Sequence, residues 1–171
     1  MSPTVKLGVP FEYPELLSVL GILAVAHGNL EMVQVMCLKT LQHMRPKEAI
    51  QKYRGKPSSH IREEINKVVE PYLKKGDPEL KRAAGDIKNL IERARCLSAQ
   101  RNRLIHCFWG CRDGRWEISP DETNWKNLPD VAIVKALAEE IQEVTRQLNS
   151  SRLDEDGAIK RLADQKCDSH Q

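Results

Sequence analysis

The sequence predicts an all-helical fold of about four main helices with one small β-hairpin flap. Four segments carry apolar residues at spacings of three and four, the period of an amphipathic helix. One stretch differs: residues 108–118 place Asp113-Gly114 between two arms that carry aromatic side chains, the pattern of a tight hairpin. We expect one domain over residues 1–171, with its core at about 14–150 and terminal extensions at 1–13 and 151–171.

The first predicted helix is the longest apolar segment of the chain. Pro14 suits the first helical turn, and the apolar stripe then runs in phase from residue 16 to about 44. Gly28-Asn29 is a common stop signal, so a helical hairpin stays open as the alternative to one long helix. Gly21, Ala24 and Gly28 form a flat flank that would let another helix approach closely.

The remaining helices follow a linker at residues 45–57, which allows at most a short helical piece at 47–53. A second main helix is expected from Ser58 or Ser59 to residue 75, with Pro71 bending or shortening it. Asp77-Pro78 then opens a long third helix that ends at the polar motif described below, and the hairpin follows it directly. Pro129-Asp130 opens the fourth helix, and residues 158–163 form a weak helical patch before a polar end.

Composition excludes some classes of protein and leaves others open. Twenty-seven basic and twenty-four acidic residues give a net charge of +3, so the chain is mixed rather than strongly basic. This balance permits nucleic acid binding without requiring it. The longest apolar run, residues 16–26, is shorter than the roughly 20 residues that span a bilayer, so we expect no membrane segment.

The cysteines indicate a reducing compartment. Their number, five, is odd, and we expect no secretory leader before them. Cys37 falls within the apolar pattern of the first helix, where a thiol packs as a small hydrophobic group. We therefore expect a cytoplasmic protein.

Polar groups crowd the end of the third helix, where residues 100–110 are Gln-Arg-Asn-Arg-Leu-Ile-His-Cys-Phe-Trp-Gly. Arg101, Asn102 and His106 supply a fixed cation, an amide and an imidazole, a set able to handle phosphate. On a continuous helix, Asn102 and His106 share a face, so the amide would hold an imidazole nitrogen. Arg101 lies about 100° away, so we expect it to reach His106 only around a groove or across a subunit interface.

These residues carry a family resemblance. Arg101-Asn102-x-x-x-His106 at the end of a long helix resembles the signature of the HEPN superfamily, in which an Arg, often followed by Asn, Asp or His, precedes a His by four to six residues. The long first helix with Leu30-Glu31 at its middle is similar to a bacterial branch of that superfamily. In that branch the motif continues as His-x-x-Trp, here His106-Cys107-Phe108-Trp109.

The resemblance implies a helical bundle that forms a homodimer, with two motifs facing one cleft and metal-independent cleavage of RNA. In such a reaction the ribose 2′-hydroxyl attacks the adjacent phosphorus. His106 would move a proton as general base or acid, and Arg101 would stabilise charge on the phosphoryl oxygens. Asn102 would orient His106 or bind phosphate itself.

Two departures from the family pattern bear on its partners. Toxin members that pair with a nucleotidyltransferase antitoxin carry a modifiable Tyr two residues after the His, and Phe108 occupies that position. The resemblance therefore does not imply that route of regulation here, and a cognate regulatory protein remains a candidate partner. Basic residues bracket the motif without forming a concentrated patch, so a groove for RNA depends on few charges.

Four further residues are candidates for supporting or substrate-binding roles. His27 and Glu31 lie one helical turn apart, on a face of the first predicted helix that becomes more polar along its length. The alternative to a role in the site is that they form a pair on the protein surface. Arg103 adds a cation beside the motif. Trp109 could stack on a base, or it could anchor the hairpin to the helices.

No metal or cofactor is expected. Cys107 and Cys111 lie near His106, but they lack a second pair of ligands with matching spacing, and zinc normally takes four. The alternative to an endoribonuclease is a non-catalytic helical module in which the motif is a structural or nucleotide-binding remnant. Its apolar helix faces would then serve dimerisation or a partner.

Overall fold

The structure, a computed structural model, describes the backbone of residues 5–168 and the side chains of residues 5–165. The described chain is mostly helical, with four long helices, two short ones and four short strands. In chain order the elements are β1 Lys6–Leu7, α1 Pro14–Leu41, α2 Pro46–Tyr53, α3 Ser58–Lys75, α4 Pro78–Ile105, β2 Phe108–Arg112, β3 Arg115–Ser119, β4 Lys126–Asn127, α5 Val131–Leu153 and α6 Ala158–Asp168.

The chain divides into two compact units. Unit 1 comprises Met1–His27 and Cys96–Glu140, and unit 2 comprises Gly28–Arg95 and Ile141–Gln171. Unit 1 therefore holds the sheet together with the first half of α1, the end of α4 and the start of α5. Unit 2 holds the rest of those three helices together with α2, α3 and α6.

Helix α1 is one continuous element from Pro14 to Leu41, so the prediction of a long helix is confirmed and the hairpin alternative is wrong. The buried apolar positions in unit 1 include Leu16 and Leu23, and those in unit 2 include Leu30. The small-residue flank is not packed against other described residues. A Cβ atom added at Gly21 or Gly28 would meet nothing within 4 Å.

Among the described residues, α1 is long and apolar enough to cross a membrane by length and composition alone. Core helices of soluble proteins and N-terminal signal sequences meet the same criterion. The absence of a membrane segment and the cytoplasmic location therefore stay predictions.

Unit 2 forms largely as the sequence predicted. The short helical piece in the linker is α2, and α3 continues through Pro71 to Lys75 without being shortened there. The Asp77 carboxylate accepts a hydrogen bond from the backbone N–H of Leu80 at 2.9 Å, which confirms the predicted cap of α4. Ser58 does not cap α3. It is the first helical residue, and its hydroxyl donates a hydrogen bond to Glu31.

The weak helical patch near the C-terminus forms α6, whose apolar side chains are buried in unit 2. The Tyr72 hydroxyl donates to the carbonyl of Leu162 at 3.2 Å. A ring nitrogen of His43 lies 3.0 Å from the carbonyl of Ala163. These contacts make α6 part of the core of unit 2. The predicted polar end beyond Asp168 lies outside the described residues.

The predicted hairpin is confirmed as β2 and β3, which pair antiparallel from Phe108↔Ser119 to Arg112↔Arg115. Asp113 and Gly114 both have positive φ, 51° and 78°, as a two-residue hairpin turn requires. The sheet is larger than expected, because β1 pairs with β2 and β4 pairs with β3. The all-helical prediction is therefore incomplete: a four-stranded antiparallel sheet accompanies the helices.

A close approach of three segments fixes the centre of this sheet. Gly110 of β2 is buried, and a Cβ atom there would stand 2.5 Å from Cγ1 of Val5 and 2.8 Å from the Trp125 ring. Trp125 is itself held by a 3.0 Å hydrogen bond from its indole N–H to the carbonyl of Glu122. Only glycine leaves room for both neighbours at this position.

We expect Gly110→Val to destabilise the protein, because its side chain must displace Val5 or the Trp125 ring. Overpacking of this kind costs about 1–3 kcal/mol, measurable as a lower free energy of unfolding in urea. Gly85→Ala is the matched control. Gly85 lies inside α4 with nothing within 4 Å of an added Cβ, so this change should be neutral or stabilising. Equal effects of the two substitutions would contradict this account.

Candidate active site at the end of helix α4

The polar motif lies where α4 gives way to the sheet. The backbone N–H of His106 donates to the carbonyl of Asn102 at 3.0 Å, which closes the last helical turn, and the helix ends at Ile105. The Cys107 thiol donates to the carbonyl of Leu104 at 3.0 Å. Strand β2 begins at the next residue. The backbone therefore turns sharply at His106 and Cys107.

Arg101 is the centre of the cluster. Its Nη1 atom donates to Oδ1 of Asn102 at 3.0 Å and lies 3.4 Å from Nε2 of His106. Arg101 is half-buried, whereas Asn102 and His106 are exposed. One chain thus brings together the cation, the amide and the imidazole that the sequence predicted as catalytic residues.

The arrangement differs from the geometry expected of a continuous helix. We expected Asn102 to hold the imidazole and Arg101 to need a groove or a second subunit to reach it. Instead Arg101 contacts both other residues within the same chain. His106 is the first residue beyond the helix, and the long Arg101 side chain spans the distance to its imidazole.

The contact also fixes the chemistry of the imidazole. A guanidinium has only donors, so Nε2 of His106 must act as acceptor and carry a lone pair. Nε of Arg101 is buried and has no hydrogen-bond partner among residues 5–168. In that part of the chain Arg101 forms no ion pair, so its charge is not neutralised by a carboxylate. An anion could therefore interact with Arg101, and Nε2 of His106 could accept a proton once the contact with Nη1 is released.

His27 has a structural environment that the sequence did not predict. Its side chain is only 6% exposed, and Nε2 lies 3.2 Å from the hydroxyl of Ser98, which is 5% exposed. The surface-pair alternative is therefore wrong for His27. Ser98 was missed by the sequence analysis, although its place next to the apolar stripe of α4 marks it as a polar group on a buried face.

Glu31, the second residue of that pair, belongs to unit 2. It is half-buried, and its carboxylate accepts a hydrogen bond from the hydroxyl of Ser58. The hydrogen bonds described above link His27 to α4 and Glu31 to α3. They do not establish a joint His27–Glu31 site.

Arg103 is exposed on the last turn of α4. With Gln100 and Leu104 it lines an open cleft of about 450 Å³, whose other wall is formed by Ile133 and Leu137 of α5. This cleft lies within unit 1, beside the catalytic candidates in the sequence. Its lining combines the Arg103 cation, the Glu140 carboxylate and an apolar wall.

The aromatic residues of the sheet have different roles. Trp116 donates from its indole N–H to the Glu12 carboxylate at 2.9 Å, which lowers the pKa of Glu12, and Trp125 packs over Gly110. These contacts connect the hairpin to the segment before α1 and to the loop after β3. Trp109 is half-buried and lies three residues beyond His106. Stacking on a base stays a prediction for Trp109.

Metal-binding groups do not cluster in the described part of the chain. No set of three or more His, Cys, Asp or Glu side chains there could hold a metal ion. Cys37, Cys96, Cys107 and Cys111 are free of disulfide bonds, and the side chain of Cys167 lies outside the described residues. Burial raises the pKa of the Cys107 thiol, which disfavours the thiolate that a nucleophile or a metal ligand requires.

We expect neutral His106 to carry its proton on Nδ1, because Nε2 accepts from Arg101. The measurement is the ¹⁵N chemical shifts of the imidazole nitrogens at a pH where the ring is neutral. Arg101→Ala should shift the population towards the Nε2–H form, while His60, which lies in unit 2, serves as internal reference. An Nε2–H form in the unmodified protein would show that the contact does not persist in solution.

Comparison with known proteins identifies no relative: no protein-family model, no curated protein and no solved structure matches this chain significantly. The likeness to the HEPN superfamily therefore rests on the sequence pattern and stays a prediction. The function has to be argued from the cluster of Arg101, Asn102 and His106.

Proposed function

We propose that this protein is a metal-independent endoribonuclease of the HEPN type that acts as a homodimer. The observation that carries the proposal is the 3.4 Å approach of the Arg101 guanidinium to Nε2 of His106 at the end of α4. It joins a proton acceptor to a fixed cation on an exposed part of unit 1. The HEPN resemblance supplies the reaction class.

The proposed reaction begins when a ribose 2′-hydroxyl displaces Nη1 of Arg101 from the lone pair on Nε2 of His106. Nε2 then takes the proton of that hydroxyl. The freed oxygen attacks the adjacent phosphorus, the bond from phosphorus to the 5′-oxygen breaks, and the 5′-oxygen receives a proton from the imidazolium or from water. The products are a 2′,3′-cyclic phosphate and a 5′-hydroxyl end. Every group transferred comes from the RNA, the imidazole or water, so no metal is required.

Arg101 would stabilise the negative charge that develops on the phosphoryl oxygens. Its Nη1 atom is occupied by Asn102 and His106, whereas Nη2 makes no hydrogen bond to the described residues. Nη2 can therefore donate to phosphate. Asn102 is then a positioning residue, because its amide oxygen holds the guanidinium rather than the imidazole.

The substrate would be held by few charges. Arg103 is exposed next to the cluster, but Arg112 of β2 is paired with Glu117 at 3.0 Å. Trp109 could add a stacked base, worth about 1–3 kcal/mol per base in single-stranded substrates. Single-stranded RNA suits this combination better than a duplex, whose bases cannot reach an aromatic side chain.

The exposed apolar face of α1 supports the homodimer. Val25 is 66% exposed and Ile22 is 48% exposed, and the neighbouring Gly21 and Ala24 are also exposed. Small residues between larger apolar ones let two helices approach closely, and burial of such a face is favourable. A second copy of the same helix offers a matching surface.

We expect purified protein to cleave single-stranded RNA in EDTA and to leave 2′,3′-cyclic phosphate ends. His106→Ala should lower the rate by about 10²–10⁴-fold, the usual contribution of a general acid or base. Arg101→Ala should lower it by about 10²–10³-fold through lost charge stabilisation. The control is Arg82→Ala, an exposed arginine earlier in α4. RNA left intact, or His106→Ala cleaving as fast as the wild type, would favour the non-catalytic module.

We expect the protein to be a dimer at micromolar concentration and Val25→Glu to be a monomer, because the substitution buries a charge in the interface. The measurement is sedimentation equilibrium. Ile133→Glu is the matched control: Ile133 of α5 is 65% exposed, almost the same as Val25, so it should leave the dimer intact. A monomeric wild type would contradict the proposed assembly without deciding whether the monomer cleaves RNA.

A further inference from the structure

We propose that unit 2 binds a medium-chain carboxylate, an apolar tail with one anionic end, in a cleft formed by α1, α2 and the start of α3. The cleft has a volume of about 370 Å³, within the range of small-molecule sites. It lies wholly within unit 2 and contains none of Arg101, Asn102 and His106, the residues proposed to carry out the cleavage. The inference is therefore independent of that function.

The walls of the cleft are mostly apolar. Tyr53 and Ile61 are each 3% exposed and form part of the packed core beneath it. Met32 and Ile50 remain 48% and 43% exposed, although they line a concave surface. An apolar tail placed between them would remove both side chains from water, which is favourable in proportion to the area buried.

Two basic side chains at the mouth of the cleft favour a ligand with an anionic end. Arg54 and Lys56, in the loop between α2 and α3, are exposed, line the cleft and form no ion pair among the described residues. Two unpaired cations beside an apolar cleft favour an anion over a neutral or cationic group. A carboxylate can bind the Arg54 guanidinium through two parallel hydrogen bonds.

The acidic residue in the cleft does not cancel this preference. Glu31 accepts a hydrogen bond from the Ser58 hydroxyl. Its charge also acts on Arg62. Burial and the charge of Arg95 lower the pKa of Arg62, and the charges of Glu31 and Glu92 oppose part of that lowering. Glu31 therefore interacts with Ser58 and Arg62 of unit 2. Arg54 and Lys56 are left to interact with an incoming anion.

The experiment is a titration of the full-length protein with decanoate, below its micelle concentration, followed by NMR of the methyl groups of Met32 and Ile50. We expect saturable binding with shifts centred on these two residues. Acetate, which has the charge without the tail, and decylamine, which has the tail with the opposite charge, should bind much more weakly. No saturable binding of decanoate, or equal binding of decylamine, would overturn the proposal.

Two variants test the charges directly. Arg54→Glu combined with Lys56→Glu should weaken decanoate binding by about tenfold, the scale of exchanging two exposed attractive charges for repulsive ones. Arg45→Glu combined with Lys47→Glu, at exposed positions around the start of α2 and outside the cleft lining, makes the same charge change and should leave binding unaltered. Equal weakening in both would show that net charge alone matters and would refute the site.

Discussion

The end of helix α4 at Ile105 is the constraint on which the candidate site depends. If the helix continued, Asn102 and His106 would lie on the same face of the helix, and Arg101 would lie on a neighbouring face. Because it ends, the backbone turns into β2 within two residues, and Arg101 reaches the imidazole. The Leu104 carbonyl, left without a helical partner, is satisfied by the Cys107 thiol. The same short turn thus finishes the helix, starts the sheet and assembles the polar cluster.

The fold was predictable wherever a strong local pattern exists. The long helices were predicted from apolar periodicity and the hairpin from Asp113-Gly114. The capping role of Asp77 was predicted from its position before Pro78. The strands β1 and β4 were missed because each has two residues, too few to show an alternating pattern. Their existence depends on pairing with β2 and β3, which no local signal encodes.

The candidate site was predictable in its residue types and not in its geometry. Arg101, Asn102 and His106 were found from the motif, but their mutual contacts depend on one residue leaving the helical backbone. The burial of the polar residues on α1 could not be predicted from the sequence either. His27 is buried against Ser98, and Gln34 is fully buried with both amide atoms unpaired among the described residues. Periodicity assigns faces to a helix, whereas burial depends on which elements pack on each face.

The pairing of β1 with β2 has a consequence for the order in which the protein folds. Lys6 pairs with Cys111, so this ladder joins segments that lie far apart in the chain. Contacts of such long sequence separation carry a large entropic cost of loop closure, and they form late compared with helices. Val5, which leads into β1, also packs over Gly110. We therefore expect β2, the strand that follows His106, to acquire its final neighbours only after both ends of this loop have been synthesised, whereas the contacts within residues 101–106 are local and can form earlier.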